Sequence, residues 1–314
     1  MMNCLFCYQT IDLQGADYHE SCCRKMFGQA VLPELPYSEQ DLEPLALEVI
    51  RSQTSVTGVQ PKLSLHIGKS EKDKTARKFT IVGLWGDFIL KPPSSWYPQM
   101  PETEDLTMHM ASIAKIKVVP HSLIRLKSGN LAYITKRVDR TKKGKLHMED
   151  MCQLTERLTE DKYHGSYEQV AKAIRKYSAT PGLDLVNFFE TVLFSFLTGN
   201  ADMHLKNFSL IRIPETGNIL SPAYDLISTA LVNPADDEDL ALTLNGKKKK
   251  IKRSDFIKAF QSLNLEEKQQ DNIFKKMLNS LRAWMELIEM SFLSEDMKLK
   301  YMDIIRERVT RIVN

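Results

Sequence analysis

The spacing of apolar residues separates a front part of short alternating runs from a back part of long helical ones. In the front, Leu63, Leu65 and Ile67 alternate with polar neighbours, Phe88-Ile89-Leu90 runs into Lys91, and segments 121–126 and 131–135 flank the turn Lys127-Ser128-Gly129-Asn130. Strands and a hairpin are expected there. The charged stretch 69–77 is expected to join two antiparallel strands through solvent. Prolines 33, 36 and 44 mark a connector over 32–47, followed by a short helical stretch ending near Arg51. A further helix is expected from about Thr103 to Ile116, opened by Glu104.

In the back, apolar residues at 185, 186, 188, 189, 192, 193, 196 and 197 keep helical spacing, and a strand-like run follows at 208–213. Residues 148–153 are expected to begin the helical half, and 254–314 to complete it with amphipathic helices such as 270–287, Trp284 facing the core. Residues 240–244, the pair Asn245-Gly246 and the basic run 247–253 predict a hairpin on a type I′ turn. That basic run is expected either to be solvated or to meet DNA phosphate or an acidic partner.

Composition sets limits on these elements. A chain of 314 residues can hold two lobes, and 43 basic against 40 acidic residues leave +3, too little for a global field that would demand nucleic acid. No apolar run is long enough to span a bilayer, and Met1-Met2-Asn3-Cys4 lacks a basic-then-apolar leader, so a cytoplasmic protein without a membrane partner is expected. Four of the five cysteines fall within the first 23 residues, which suits metal better than disulfides. Cys4, Cys7, His19 and Cys22 form C-x2-C and H-x2-C pairs, a set that can close a tetrahedral structural Zn2+ site; Cys23 is the alternative fourth ligand.

The candidate chemistry lies in the loop 199–207, between the buried helix and the strand. Asp202 precedes Asn207 by five positions, with Lys206 just before the Asn, and this is the spacing of a protein-kinase catalytic loop. There the Asp takes or orients the substrate hydroxyl, the Asn holds Mg2+ and the Lys neutralises phosphate charge. Asp225 offers a second carboxylate where such folds place their other metal ligand. Upstream, the small-residue loop 52–62 can cradle phosphates with Lys62 adding charge, and Lys91 ends a strand as a phosphate-contacting lysine should, with Glu104 as its carboxylate partner. Residues 136–140 stand where a two-lobed kinase has its hinge.

The motifs Ser55-Val56-Thr57-Gly58-Val59-Gln60-Pro61-Lys62, Ile89-Leu90-Lys91-Pro92-Pro93, Glu149-Asp150-Met151-Cys152-Gln153, Asn200-Ala201-Asp202-x-His204-x-Lys206-Asn207 and Tyr224-Asp225 occur in the order found in the HipA toxin family, which the chain resembles over about residues 45–260. The resemblance implies an α+β, two-lobed protein-kinase-like fold, with a small antiparallel β lobe and a larger helical lobe. Boundaries of 1–30 for a Cys/His zinc knob, 31–140 for the β lobe and 141–314 for the helical lobe are expected.

The resemblance further implies an ATP- and Mg2+-dependent Ser/Thr protein kinase: Asp202 as base, Asn207 and Asp225 on Mg2+, Lys91 on ATP phosphates and His204 and Lys206 beside the γ-phosphate. Thr57, Gly58, Val59, Gln60, Pro61 and Lys62 would form the phosphate-side loop, Lys136, Arg137 and Val138 would line the adenine site, and Tyr224 would join the nucleotide site. Ser55 or Thr57 would be autophosphorylated, which brings about two negative charges where ATP phosphates must enter. Implied partners are a protein substrate such as an aminoacyl-tRNA synthetase, a DNA-binding HipB-like antitoxin through which DNA is met indirectly, and a separate small polypeptide replacing an N-terminal β subdomain. Two departures from standard kinases stand out: no Asp-Phe-Gly triplet follows Tyr224, and the phosphate loop has one glycine. The rival expectations are a catalytically silent kinase-like module that holds the antitoxin and co-represses its operon, and a zinc-finger nucleic-acid binder.

Overall fold

The computed structural model describes residues 2–12, 15–52, 62–69, 77–82 and 85–313. The chain divides into two compact units: Met1–Asp105 with Val119–Arg137 and Met290–Phe292, and Leu106–Val118 with Val138–Glu289 and Leu293–Asn314.

The first unit is built on an antiparallel five-stranded sheet of order β4-β3-β5-β7-β6. Its strands are β3 (Leu63–Lys69), β4 (Arg77–Val82), β5 (Phe88–Lys91), β6 (His121–Arg125) and β7 (Leu131–Lys136). β3 and β4 pair antiparallel, as expected of the strands on either side of the charged stretch, whose residues 70–76 lie outside the described residues, and β6–β7 is the expected hairpin. Leu63, Leu65, Phe79, Phe88, Leu90, Leu123 and Ile134 turn one face into a core shared with the N-terminal residues Cys4, Leu5, Cys22, Met26 and Phe27. Phe27 sits edge-on to Phe79 at 5.7 Å, so the N-terminal segment packs as part of this core. That segment comprises the short pair β1 (Met2–Asn3) and β2 (Thr10–Ile11), then helix α1 (Glu20–Phe27), closed by Gly28 at φ 75°.

Two helices of this part of the chain depart from expectation in extent. α2 (Glu39–Ser52) starts well before the predicted short stretch and takes in Pro44, because Ser38 and Asp41 form a capping pair there: the Ser38 backbone N–H and hydroxyl both donate to the Asp41 carboxylate at 2.7 Å. α3 (Met100–Ile113) starts before Thr103, with Pro101 tolerated in its first turn. Glu104 therefore lies in the second turn rather than opening the helix.

The second unit is mainly helical. Two short strands, β8 (Arg140–Thr141) and β9 (Gly144–Lys145), form a small ribbon. Residues 148–153 do not begin with helix: β10 (Met148–Asp150) first pairs with β11 (Ser209–Ile213), which pairs in turn with β12 (Gly217–Leu220). α4 (Met151–Leu154) follows, and Asp150 fixes the switch because its side chain accepts from Gln153 N while Gln153 accepts from Asp150 N. α5 (Tyr167–Tyr177) and α6 (Pro181–Leu197) come next, and α6 is apolar nearly all round, with Phe188, Phe189, Val192, Leu193, Phe194, Phe196 and Leu197 fully buried. Such a helix belongs at the centre of its lobe.

Around α6 stand α7 (Thr229–Val232), α8 (Arg253–Ser262), α9 (Glu267–Met290) and α10 (Glu295–Val313). Trp284 meets Phe194 edge-on at 5.4 Å and donates its indole N–H to the Met110 carbonyl. Of the predicted 240–253 hairpin, only the turn is present. Asn245 and Gly246 take φ 50° and 74°, as a type I′ turn demands, but pairing stops at a single Leu244–Lys247 bridge. After that bridge the backbone turns to residues 239–240 instead, the Lys248 carbonyl accepting from Asp239 N (2.9 Å) and Leu240 N (3.3 Å). Lys247 pairs with Asp255 (2.8 Å), Lys248 with Glu238 (3.4 Å) and Lys249 with Asp237, so each side chain leaves in its own direction.

Candidate active site

The loop after α6 is fixed by a glycine and by backbone bonds. Gly199 has φ 68°, and a Cβ there would stand 2.9 Å from both Ala230 Cβ and Ile304 Cγ2, so only glycine fits. Its carbonyl accepts from Ala230 N (2.9 Å), and Ala201 N donates to Thr229 Oγ1 (2.8 Å). Asp202 N donates to Asn200 Oδ1, while the Asp202 carbonyl accepts from His204 N and from Asn207 Nδ2, both at 2.8 Å. Asn207, which is 6% exposed, thus commits its amide nitrogen to its own loop, and the amide oxygen is the atom it can offer a cation.

The Asp202 carboxylate itself receives Tyr163 OH at 2.6 Å on Oδ1. Burial, and then the Asp202 charge, push the Tyr163 phenol well above its ordinary pKa, so it stays a donor. Tyr163 also sits edge-on to His204 at 4.9 Å. Lys206 makes a 2.7 Å ion pair with Asp150, the residue that caps α4. Tyr224 donates to the Lys206 carbonyl (3.0 Å) and shares a 2.5 Å bond with Ser209. Asp225 is held at φ 57°, a left-handed backbone that costs a non-glycine residue about 1–2 kcal/mol and clusters at functional sites.

In the first unit, Lys91 ends β5 opposite Tyr133 of β7 and pairs with Glu104 of α3 at 2.5 Å. The side chains are 5% and 1% exposed, so this is a dry ion pair, and the Lys91 ammonium lies 5.4 Å from the Tyr133 ring centroid. At the end of β7, Lys136 N donates to Pro120 O and Arg137 N to Asp87 O, each at 2.9 Å. The Lys136 ammonium bonds the Lys25 carbonyl of α1, and burial pushes its pKa down. Val138 falls in the second compact unit. Lys62 is exposed just before β3. Ser55, Thr57, Gly58, Val59, Gln60 and Pro61 lie outside the described residues.

The N-terminal cluster brings Cys4, Cys7, His19 and Cys22 together with every ligand atom within 4.8 Å of the others. Cys23 is turned into the core instead, and burial raises its thiol to about 11. Among the described residues it is Cys22, not Cys23, whose sulfur falls in this group.

Sequence spacing therefore located Asp202 and Asn207 on one loop, and Lys91 beside Glu104. It missed Tyr163, whose only trace in the sequence is an aromatic between Lys162 and His164 in a polar turn, and it gave Asp150 no part, although this residue both caps α4 and holds Lys206.

Residues 54–285 match the HipA-like C-terminal domain family, and the chain belongs to that family. Among curated relatives, it is 35% identical over 187 residues to the "Putative kinase Y4dM" of Sinorhizobium fredii, covering 56% of this chain and 45% of that one. A "Putative kinase" of Haemophilus influenzae is 31% identical over 213 residues, 63% of this chain and 59% of that one. The chain thus spans about half the length of these relatives. Among solved structures, it resembles a chain of the Shewanella oneidensis MR-1 toxin–antitoxin complex of HipA, HipB and operator DNA, with TM-score 0.69, 22% identity, and coverage of 85% of this chain and 71% of that one. It also resembles the Helicobacter pylori proinflammatory kinase CtkA, with TM-score 0.56, 17% identity, and coverage of 80% and 94%. The expected α+β kinase-like fold is thereby present, with an antiparallel sheet and helices, and is similar to the folds of these two structures. Among the described residues, no helix is long and apolar enough to cross a membrane.

Proposed function

We propose that the chain is an ATP- and Mg2+-dependent protein kinase that transfers the γ-phosphate to a serine or threonine hydroxyl. The observation that carries this reading is the Asp202–Asn207 loop. Its own hydrogen bonds orient Asn207 as an oxygen ligand, and Tyr163 occupies one Asp202 oxygen while the other is left to take the proton of an attacking hydroxyl. Asn207 and Asp225 are the residues to hold Mg2+, an oxygen-seeking ion that neutralises phosphate charge when bound. Lys91, kept charged and oriented by Glu104, is the contact for the α- and β-phosphates.

At the adenine edge, the N–H groups of Lys136 and Arg137 are engaged with Pro120 O and Asp87 O, so Val138 is the residue proposed to bond the base. Lys206 is held by Asp150, and its approach to the γ-phosphate would require that 2.7 Å pair to open or be shared. Ser55 or Thr57 is the proposed site of self-modification, and a DNA-binding HipB-like protein the proposed partner, in keeping with the complex in which the Shewanella neighbour was solved. The substrate is a cytoplasmic protein of the translation apparatus. The Cys/His cluster is read as a structural Zn2+ site, closed by four N/S ligands and so without an open position for chemistry.

The test is γ-phosphate-labelled ATP with the purified chain and its Asp202→Ala variant. Labelling of Ser55 or Thr57, or of an added protein, by the parent alone supports transfer. Equal labelling by both removes Asp202 from the chemistry, and labelling by neither favours the silent antitoxin-binding module.

A further inference from the structure

The Cys/His cluster lies at one end of a short chain of buried contacts whose other end is Glu104. His19 Nε2 bonds the Thr10 carbonyl at 3.0 Å, which assigns the ring proton to Nε2 and leaves the Nδ1 lone pair directed at the thiols, 3.4 Å from Cys7 Sγ and 3.7 Å from Cys22 Sγ. Metal bonds of about 2.3 Å to sulfur and 2.0–2.1 Å to nitrogen at a tetrahedral angle would place such atoms about 3.6 Å apart. The Cys4–Gln9 turn is tight: Tyr8 N donates to Cys4 O (2.9 Å) and Cys4 N to Gln9 O (2.8 Å), and Tyr8 is left-handed at φ 64°. Chelation by Cys4 and Cys7 would hold that backbone, and with it the direction of the Tyr8 side chain.

Tyr8 is buried, stands edge-on to Phe292 and donates its hydroxyl to Asp105 Oδ2 at 2.8 Å. Asp105 Oδ1 meets His121 Nδ1 of β6 at 2.7 Å, so both oxygens of a carboxylate with no exposure are engaged. Asp105 follows Glu104 directly on α3, about 100° around the helix. Holding Asp105 therefore sets the rotation of α3 that aims Glu104 at Lys91.

We propose that the metal centre braces the Lys91–Glu104 pair, with Tyr8 and Asp105 as positioning residues that transmit the constraint. This rests on the zinc and kinase readings above, and the experiment separates the three. Zinc content of the full chain is measured by elemental analysis, hydrogen exchange is followed over residues 100–105, and ATP affinity is read with a fluorescent analogue.

The parent is expected to carry one zinc. Cys22→Ser should lose it, and Tyr8→Phe should keep it. Both should speed exchange over 100–105 and weaken ATP about tenfold, the loss expected for one hydrogen bond to a charged group. In a Lys91→Ala background, Tyr8→Phe should add nothing to the loss of ATP affinity. Zinc retention by Tyr8→Phe with parental exchange over 100–105 would overturn the brace. A parent that takes up neither zinc nor Co2+ would overturn the brace together with the metal reading. Faster exchange in a chain that binds no ATP would sustain the brace and remove the kinase reading alone.

Discussion

The Lys91–Glu104 pair and the Asp202–Asn207 loop carry the two halves of the proposed chemistry, and they are built in opposite ways. The pair is two opposite charges held together in a dry core. The loop holds its functional side chains through backbone groups, with a glycine that no other residue can replace and a tyrosine at the protein's surface. Removing a charge from the first damages the fold. Removing one from the second should damage only the reaction.

The largest expected effect falls on the loop. Asp202→Ala should lower phosphoryl transfer by about 10²- to 10⁴-fold, the usual worth of a positioned base, while its stability moves by no more than about 1 kcal/mol. A variant that melts far below the parent would erase the contrast. Lys91→Ala should do the reverse first, stranding Glu104 in the core at a cost of about 3–5 kcal/mol and lowering the melting temperature by on the order of 10 °C. Lys91→Met combined with Glu104→Leu should recover much of that stability and no activity, as seen by thermal denaturation beside an ATPase or labelling assay. A double variant as unstable as the single one would show that packing, not the stranded charge, is what Lys91→Ala loses.

Gly199→Ala tests how far the loop depends on its backbone. Left-handed strain plus the 2.9 Å approaches to Ala230 and Ile304 should cost about 2–4 kcal/mol and lower turnover with it. A parental melting curve would mean the loop shifts without loss.

The smallest effect sharpens the comparison at a third carboxylate. Burial pushes Asp255 up, but bonds from Lys247, Asn245 and Lys252 N outweigh it and hold the pKa below its ordinary value of 3.8. A group whose folded pKa is depressed lends stability above its unfolded pKa and loses it as pH falls through the folded one. The parent should therefore lose more stability than Asp255→Asn below about pH 4, and parallel urea curves from pH 5 to pH 2.5 would refute the assignment.

What could be read from sequence follows from how local each feature is. The β-sheet strands and α6 were legible because alternation and helical spacing are properties of neighbouring residues. Asp202 and Asn207 were legible because five positions of chain fix their relation, and Lys91 with Glu104 because a strand end and a nearby helix leave few other partners. The start of α2 was hidden by Pro44, whose breaking effect is outweighed by the Ser38–Asp41 cap. The strand at 148–150 was hidden because its partner lies some sixty residues downstream, where no local periodicity can announce it. Tyr163 is distant in sequence from Asp202, and the lysines at 247–249 look like a free basic patch until the acids at 237, 238 and 255 are seen beside them.

The left-handed backbone at Asp225 has a bearing on which substitutions can be interpreted at all. Glycine would relax the main chain yet bring no oxygen, glutamate would bring oxygen yet resist the conformation, and alanine would fail on both counts. Asparagine alone keeps a side-chain oxygen and tolerates the same dihedral while cancelling the negative charge, so it is the exchange that isolates what the anion contributes from what the bend contributes.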